Sequence, residues 1–116
     1  MISKELLSEV LGYKINNIDV QNNYIIIDYL VIKWNDNRPN EINIYELAHK
    51  CKEWAFSLGL TVETCKKIKI DIPITFIRVY CNKRKKYLKE YELSKTELYE
   101  ADIRACQWVL DNKDTL

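Results

Sequence analysis

The segment from Ile44 to Leu58 constrains the fold most strongly, because its apolar residues recur every three or four positions. At about 100° per residue they share one face of an α-helix, and that face needs another layer to pack against. Asn43 is a good N-cap, Glu46 extends it towards a capping box, and Gly59 ends the helix. The predicted buried face contains Ile44, Leu47, Ala48, Cys51, Trp54, Ala55 and Leu58.

The sequence on both sides of this helix has β character. Before it, "KINNIDV" and "YIIIDYLVIKW" are rich in β-branched and aromatic residues and predict a hairpin closed by "QNN". Asp28 interrupts one face of the second strand, and the polar stretch "NDNRPNE", residues 35 to 41, predicts a loop. After the helix, "LTVETC", "KKIKIDIPITFIRVYC" and "KKYLKEYEL" predict two or three more strands.

The segment from residue 67 to residue 76 alternates apolar and polar residues, as a half-buried strand does. From Ile77 onward the apolar positions switch parity. Either a bulge therefore lies near Phe76, or Pro73 separates two strands at a sheet edge, because proline cannot donate a hydrogen bond to a central ladder. The apolar positions of the alternation are Ile68, Ile70, Ile72, Ile74 and Phe76.

Two terminal helices complete the predicted fold. Residues 2 to 11 have helical spacing between Ser3 as N-cap and Gly12 as stop. A last helix is predicted to begin near Ser94, with Glu97 completing a capping box. The order helix, two strands, helix, two or three strands, helix predicts one α+β domain over residues 1–116. Its antiparallel sheet is expected to have four to five strands, with the three helices mainly on one face.

Two charged residues interrupt the apolar faces of the predicted helices. Lys52 falls on that of the middle helix and Asp102 on that of the last. Burying either charge alone would cost several kcal/mol, so the two side chains either pair or each reach solvent at the rim of its helix.

Composition and cysteine spacing limit the class of protein. The chain is 47% hydrophobic and 30% charged, which fits a folded domain. Neither "MISKELLSEVLG" nor the longest apolar run resembles a signal peptide or a membrane span, so we expect a soluble cytoplasmic protein without a membrane partner. The cysteines form no CxxC pair and only one histidine is present. They are predicted to be reduced and metal-free, and lie at Cys51, Cys65, Cys81 and Cys106.

Catalytic signatures are missing from the sequence. It contains no GxGxxG, Walker, GxSxG or HExxH motif, and two glycines cannot build a phosphate cradle. His49 and Cys51 lie about 200° apart around their helix, so they cannot act as a base and nucleophile pair. The sequence gives no reason to join Asp28 with Asp102 as a carboxylate pair. We therefore expect a protein that is not an enzyme and binds no cofactor.

Positive charge is concentrated in the predicted hairpin of residues 82–91. Residues 61 to 90 carry nine Lys or Arg against three acids, whereas residues 91 to 116 carry three against six. Basic side chains interleaved with aromatic ones are typical of single-stranded nucleic-acid sites, but lysines at a hairpin turn also protect a solvated sheet edge. The candidate binding residues, for a partner protein or nucleic acid, are Lys83, Arg84, Lys85, Lys86, Tyr87 and Lys89.

Two helical segments, "INIYELAHKCKEWAFSLG" at 42 to 59 and "ACQWVLDN" at 105 to 112, resemble those of small uncharacterised bacteriophage and prophage proteins. The resemblance covers about a quarter of the chain and carries no catalytic residue. It implies an accessory protein in a bacterial host cell. Such proteins commonly bind a host protein, and anti-CRISPR and other anti-defence inhibitors are examples. The leading hypothesis is therefore binding of a host defence component, and the alternative is a nucleic-acid-binding module that uses the basic hairpin.

Overall fold

The computed structural model describes residues 2–12, 14–21, 23–31 and 36–116. The predicted place of Asp28 on one face of its strand lies outside the side chains that are described. The α+β class is confirmed, with three α-helices and six strands in the described chain. In chain order these are α1 Lys4–Leu11, β1 Ile15–Gln21, β2 Tyr24–Val31, β3 Asp36–Asn43, α2 Ile44–Ser57, β4 Leu60–Lys69, β5 Ile72–Cys81, β6 Lys86–Ser94 and α3 Leu98–Asn112, followed by a 3₁₀ turn Lys113–Thr115.

The strands form two antiparallel sheets of three strands, with orders β1-β2-β3 and β4-β5-β6. The prediction of one sheet with four to five strands is not confirmed. Strands that follow one another through short connections pair with their sequence neighbours, and α2 separates the two runs of three strands. Each run of three strands therefore forms a separate antiparallel sheet.

Strand β3 replaces the loop predicted over residues 35 to 41. It pairs with β2 from Tyr24 opposite Asn43 to Val31 opposite Asp36. Pro39 lies within it, and β3 tolerates this proline because it is an edge strand with only one paired neighbour. Backbone pairing stabilises this strand although its sequence is polar.

The helices and both sheets share one hydrophobic core. Leu6 of α1, Leu47 of α2 and Val109 of α3 are fully buried, together with Ile25 and Ile77 from the two sheets. α2 and α3 both contact β4, while α1 contacts β1.

Trp54, which lies on the predicted apolar face of the middle helix, and Trp108 of α3 are partly buried and pack against the margin of the core. The centre of the helix layer is formed by smaller side chains, which are Ala48, Cys51, Ala55, Ala101, Ala105 and Cys106.

The predicted start of the middle helix is confirmed, and that of the last helix is wrong. Asn43 Oδ1 accepts hydrogen bonds from the backbone N–H groups of Tyr45 and Glu46 at 2.9 and 3.4 Å. Ser94 instead ends β6, and Glu97 is the N-cap of α3 without a side-chain capping bond. Pairing of Ser94 with Ile74 of β5 keeps this residue in the sheet.

The segment from residue 67 to residue 76 forms neither the bulge near Phe76 nor the two strands separated at Pro73 that its sequence predicts. β4 and β5 form a continuous antiparallel hairpin whose turn is Ile70 and Asp71, and the register passes through Phe76 without a bulge. Pro73 lies in the central strand, but β5 begins to pair with β6 only at Ile74. Pro73 therefore pairs with β4 alone and has no position in the hydrogen-bond ladder between β5 and β6. Thr75 is the buried residue of this stretch.

Candidate interaction surfaces

The turn end of the β4–β5 hairpin carries the two most exposed large apolar side chains of the described chain, Ile68 and Ile70, together with the exposed Ile72. Ile68, Ile70 and Ile72, which we call the isoleucine tip, are 79%, 88% and 51% exposed. The half-buried strand predicted there is therefore wrong, because the hairpin extends beyond the helices that cover its other half. Large apolar side chains grouped on a surface mark interaction sites far more often than single ones do.

The backbone at the tip is strained. Ile70 and Asp71 have φ values of 51° and 60°. A two-residue hairpin turn with both φ values positive favours Asn-Gly, and a β-branched residue in this region is a true outlier. Such strain persists only where the surroundings impose it, and it concentrates at functional sites. Turn geometry therefore does not explain why residue 70 is an isoleucine, and its presence there requires an explanation other than the fold of the turn.

The three isoleucines point in different directions. Ile68 lies opposite Pro73, on the same face of the sheet as the buried pair Val62 and Val79, so it continues the core side of the sheet. Ile72 lies opposite Lys69 on the other face. The turn residue Ile70 projects at the end between them. The tip is apolar on both faces and at its end.

Charged residues surround the isoleucine tip. Lys66 Nζ lies 3.3 Å from Glu97 Oε2, and Lys69 Nζ lies 3.5 Å from Glu92 Oε1. Lys67 Nζ stands 5.2 Å from the centroid of the Phe76 ring. Lys95 is exposed, and neither it nor Lys67 has an ion pair among the described residues. Two cations therefore remain available beside the apolar tip.

The basic turn, which we define as Lys83 to Lys86, lies at the opposite end of the same sheet. The ten residues of β5 separate the two ends by about 30 Å. The backbone of the turn is held by hydrogen bonds from Asn82 N–H to the Gly59 carbonyl at 3.0 Å and from Lys85 N–H to the Cys81 carbonyl at 2.8 Å. Lys83, Arg84, Lys85 and Lys86 are all exposed, and no ion pair involves them in the described part of the chain.

Tyr87 and Lys89 do not extend this basic surface together. Tyr87 pairs with Tyr80, but Lys89 pairs with the buried Val79, because a bulge at Leu88 shifts the register. The two predicted site residues consequently lie on opposite faces of the sheet. Lys89 Nζ stands 5.6 Å from the centroid of the Tyr91 ring instead.

The outer face of β4-β5-β6 combines aromatic rings with paired charges. The rings of Tyr80 and Tyr87 meet edge to face at 5.1 Å, and Arg78 lies over the Tyr87 ring at 5.3 Å. Arg78 Nε is also 3.5 Å from Glu90 Oε1, while the Tyr87 hydroxyl is 3.4 Å from Glu63 Oε2. These carboxylates would repel phosphate groups, so the outer face itself suits nucleic acid poorly.

A small polar cluster lies between α2, α3 and β4. Thr64 Oγ1 donates to Asp102 Oδ1 at 2.8 Å, and Lys52 Nζ lies 3.8 Å from the same oxygen. The pairing alternative for Lys52 and Asp102 is therefore the one observed. Beside them, a hydrogen bond with the Cys51 thiol and burial raise the pKa of the Cys106 thiol, so this sulfur remains protonated and is a weak nucleophile.

Other features considered from the sequence are a histidine on the surface of α2 and four cysteines without disulfide bonds. His49 Nε2 forms an exposed pair with Glu53 Oε1 at 2.7 Å on the surface of α2. All four cysteines are free thiols. In the described ranges, no three His, Cys, Asp or Glu side chains are grouped to hold a metal ion. No helix in those ranges is long and apolar enough to cross a bilayer.

The sequence contains a signal for the isoleucine tip that the alternation obscures. "KKIKIDIPITFIRVYC" has sixteen residues, whereas a strand usually has five or six, so a turn within it was to be expected.

Comparisons of the chain with protein-family models, with curated proteins and with solved structures find no match.

Proposed function

We propose that this protein is a bacteriophage or prophage accessory protein that acts in the cytoplasm of the host by binding a host protein. A component of host defence is the partner that the two phage-like helical segments suggest, which would make it an anti-CRISPR-like inhibitor without enzymatic activity or cofactor. The observation that carries the proposal is the isoleucine tip, with three exposed isoleucines on a strained turn beyond the core.

The energetics of the tip favour a binding role. Fully burying an exposed isoleucine gains about 1.5 to 3 kcal/mol, and at 51% to 88% exposure half or more of this gain is unused in the free chain. Interface hot spots are compact apolar anchors of this kind surrounded by polar groups. A surface that served solubility alone would replace these residues with polar ones, since strands tolerate threonine equally well.

A pull-down from bacterial lysate tests the proposal. The full-length chain is compared with an Ile68→Ser/Ile72→Ser variant, with and without nuclease treatment. Phe56→Ser is the matched control, because Phe56 is 64% exposed on α2. We expect the wild type and the control to retain one host protein in both arms, and the double variant to lose it while unfolding at the same temperature. Retention by the double variant, or loss on nuclease treatment, would contradict the proposal.

The alternative function, a nucleic-acid-binding module, is favoured by one observation. The basic turn holds four exposed cations without ion pairs in the described chain, next to the partly exposed ring of Tyr87. Replacing all four with Glu should leave stability nearly unchanged, because exposed turn charges contribute little. If the turn binds phosphates, binding of single-stranded oligonucleotides should disappear in this variant. In the wild type the log-log salt slope should be roughly −3.

A further inference from the structure

We infer that the isoleucine tip inserts as a wedge into an apolar cleft with an acidic rim on the partner protein. This inference rests on the function proposed above and adds the shape and charge of the partner's site. It follows from the directions of the three isoleucines, from Asp71 between them, and from two lysines beside them that have no ion pair in the described part of the chain.

The directions of the side chains require a concave partner. Ile68 and Ile72 lie on opposite faces of the hairpin, and Ile70 lies at its end. A flat partner laid against the sheet would cover one face only and leave the isoleucine of the other face in water. Walls on both sides of the hairpin are needed to desolvate all three side chains together. A cleft provides this, and it is also where fully desolvated anchor residues are usually found.

The end of the tip argues against a lipid bilayer as the occupant. A hairpin driven end-on into hydrocarbon would carry the Asp71 carboxylate in with Ile70 and Ile72, since Asp71 is the second turn residue. An ionised carboxylate in hydrocarbon is strongly unfavourable. A protein cleft can supply a hydrogen-bond donor at its floor for this group, and a bilayer cannot.

The size of the tip argues against a second copy of this chain. A standard stable interface removes roughly 800 Å² from each partner, and permanent homodimers usually remove more. Three isoleucines around a two-residue turn present only a small part of such an area, and the neighbouring Lys66 and Lys69 already have partners within the chain. A small anchor can be decisive where a pocket encloses it.

The positive charge beside the tip indicates the charge expected at the rim of the partner's cleft. Lys67 and Lys95 flank the apolar residues and have no ion pair within the described chain. Acidic groups at the mouth of the cleft would complement them, and charge at the rim of an interface acts mainly on the rate of association.

Photo-crosslinking from both faces of the hairpin tests the inference. A benzoylphenylalanine is placed at position 68 in one full-length variant and at position 72 in another, with position 56 on α2 as the control. Each is irradiated in bacterial lysate and, separately, with vesicles of phosphatidylethanolamine and phosphatidylglycerol. We expect positions 68 and 72 to crosslink to two different segments of one protein, and position 56 to leave that protein unlabelled.

Every other outcome overturns the inference, and the outcomes differ in what they say about the proposed function. Crosslinks to a protein from only one of the two positions would remove the cleft but keep the binding function. Crosslinks to lipid, or to a second copy of the chain, would remove the partner protein at this site. No crosslink from either position would overturn the binding function together with the cleft.

The acidic rim is tested separately on the partner that crosslinking identifies. Lys67→Glu combined with Lys95→Glu should slow association roughly tenfold at low salt, and the difference should shrink as salt is added. Lys83→Glu combined with Lys86→Glu, in the basic turn, is the matched control and should leave the rate unchanged. An equal rate for the wild type and the first variant would show that the rim is not acidic.

Discussion

The hydroxyl of Thr64 donates a hydrogen bond to the carboxylate of Asp102 across 2.8 Å, and this bond joins β4 to α3 at the edge of the core. The Asp102 side chain is only 13% exposed, and Lys52 lies 3.8 Å away on α2. Burial raises the pKa of Asp102, and the hydrogen bond from Thr64 and the charge of Lys52 offset only part of this effect. Folding therefore favours the neutral form of the Asp102 carboxyl group over its ionised form.

Asp102 is expected to make stability depend on pH. Its pKa is raised on folding, so the folded protein keeps the proton over a range where the unfolded chain has lost it. The resulting stabilisation is fully present below the ordinary value of 3.8 and is lost as pH rises through the raised pKa. The free energy of unfolding of Asp102→Asn, taken relative to that of the wild type, should thus be higher at about pH 7 than at about pH 3. Urea unfolding at both pH values measures this, and a difference independent of pH would contradict it.

Thr64→Val provides the control for this prediction. It keeps the shape of the side chain but removes the donor, so the Asp102 carboxylate loses its one hydrogen bond from a hydroxyl group. We expect a loss of about 1 to 3 kcal/mol in free energy of unfolding, larger at neutral pH than in acid, because the bond to the ionised acceptor is the stronger one.

The parts of the fold that local chemistry determines could be predicted from the sequence. The start of α2 depends on the Asn43 side chain and its neighbours in sequence, so the N-cap could be predicted from the sequence. The start of α3 depends on Ser94 pairing with Ile74, a contact distant in sequence, and Ser94 looks the same as a cap or as a strand end. β3 likewise depends on its register with β2, which its polar residues do not reveal.

The candidate sites show the same limit. The exposed cations of the basic turn follow from local composition, but the separation of Tyr87 from Lys89 depends on a bulge, which shifts the alternation by one residue. At the tip, Ile70 and Asp71 are not residues that favour a turn with positive φ. Apolar alternation therefore indicated burial at the tip, where Ile68, Ile70 and Ile72 are exposed instead.

Cysteine reactivity should separate one thiol from the other three. Cys65 is exposed on β4, whereas Cys51, Cys81 and Cys106 are buried. The raised pKa of Cys106 lowers its reactivity further, since the thiolate is the reacting form. Maleimide followed by mass spectrometry should show one rapid modification, absent from Cys65→Ser, and three that occur at the rate of unfolding. Rapid loss of two or more thiols would contradict this burial, and stoichiometric zinc in elemental analysis would contradict the metal-free assignment.

The tryptophans should contribute less stability than buried ones do. Truncating a fully buried tryptophan to alanine typically costs about 3 to 5 kcal/mol, because it leaves a large cavity. Trp54 and Trp108 are partly exposed at the margin of the core, so each Trp→Ala variant should lose less than this. Leu47→Ala is the comparison, because Leu47 is fully buried and should cost about 2 to 5 kcal/mol. Denaturant unfolding measures all three, and a tryptophan variant costing more than Leu47→Ala would place that ring in the core.

The turn at the isoleucine tip should trade stability for binding. Ile70→Asn combined with Asp71→Gly installs the residues that a two-residue turn with positive φ prefers, and it removes the strain of a β-branched residue at φ 51°. We expect the free energy of unfolding to rise by about 1 to 2 kcal/mol, because a strained residue of this kind costs of that order. The same variant should lose the host protein in a pull-down, since the end of the wedge is gone.

Lys85→Gly separates the two effects. Lys85 has φ 54° in the basic turn, so glycine relieves comparable strain at the other end of the sheet and leaves the tip intact. This control should also be more stable than wild type, although by less because lysine is not β-branched, and it should bind as wild type does. If the tip variant is less stable than wild type, the turn is not strained. If it is more stable and still binds, Ile70 is not part of the contact, and the strain at the turn serves something other than the host protein.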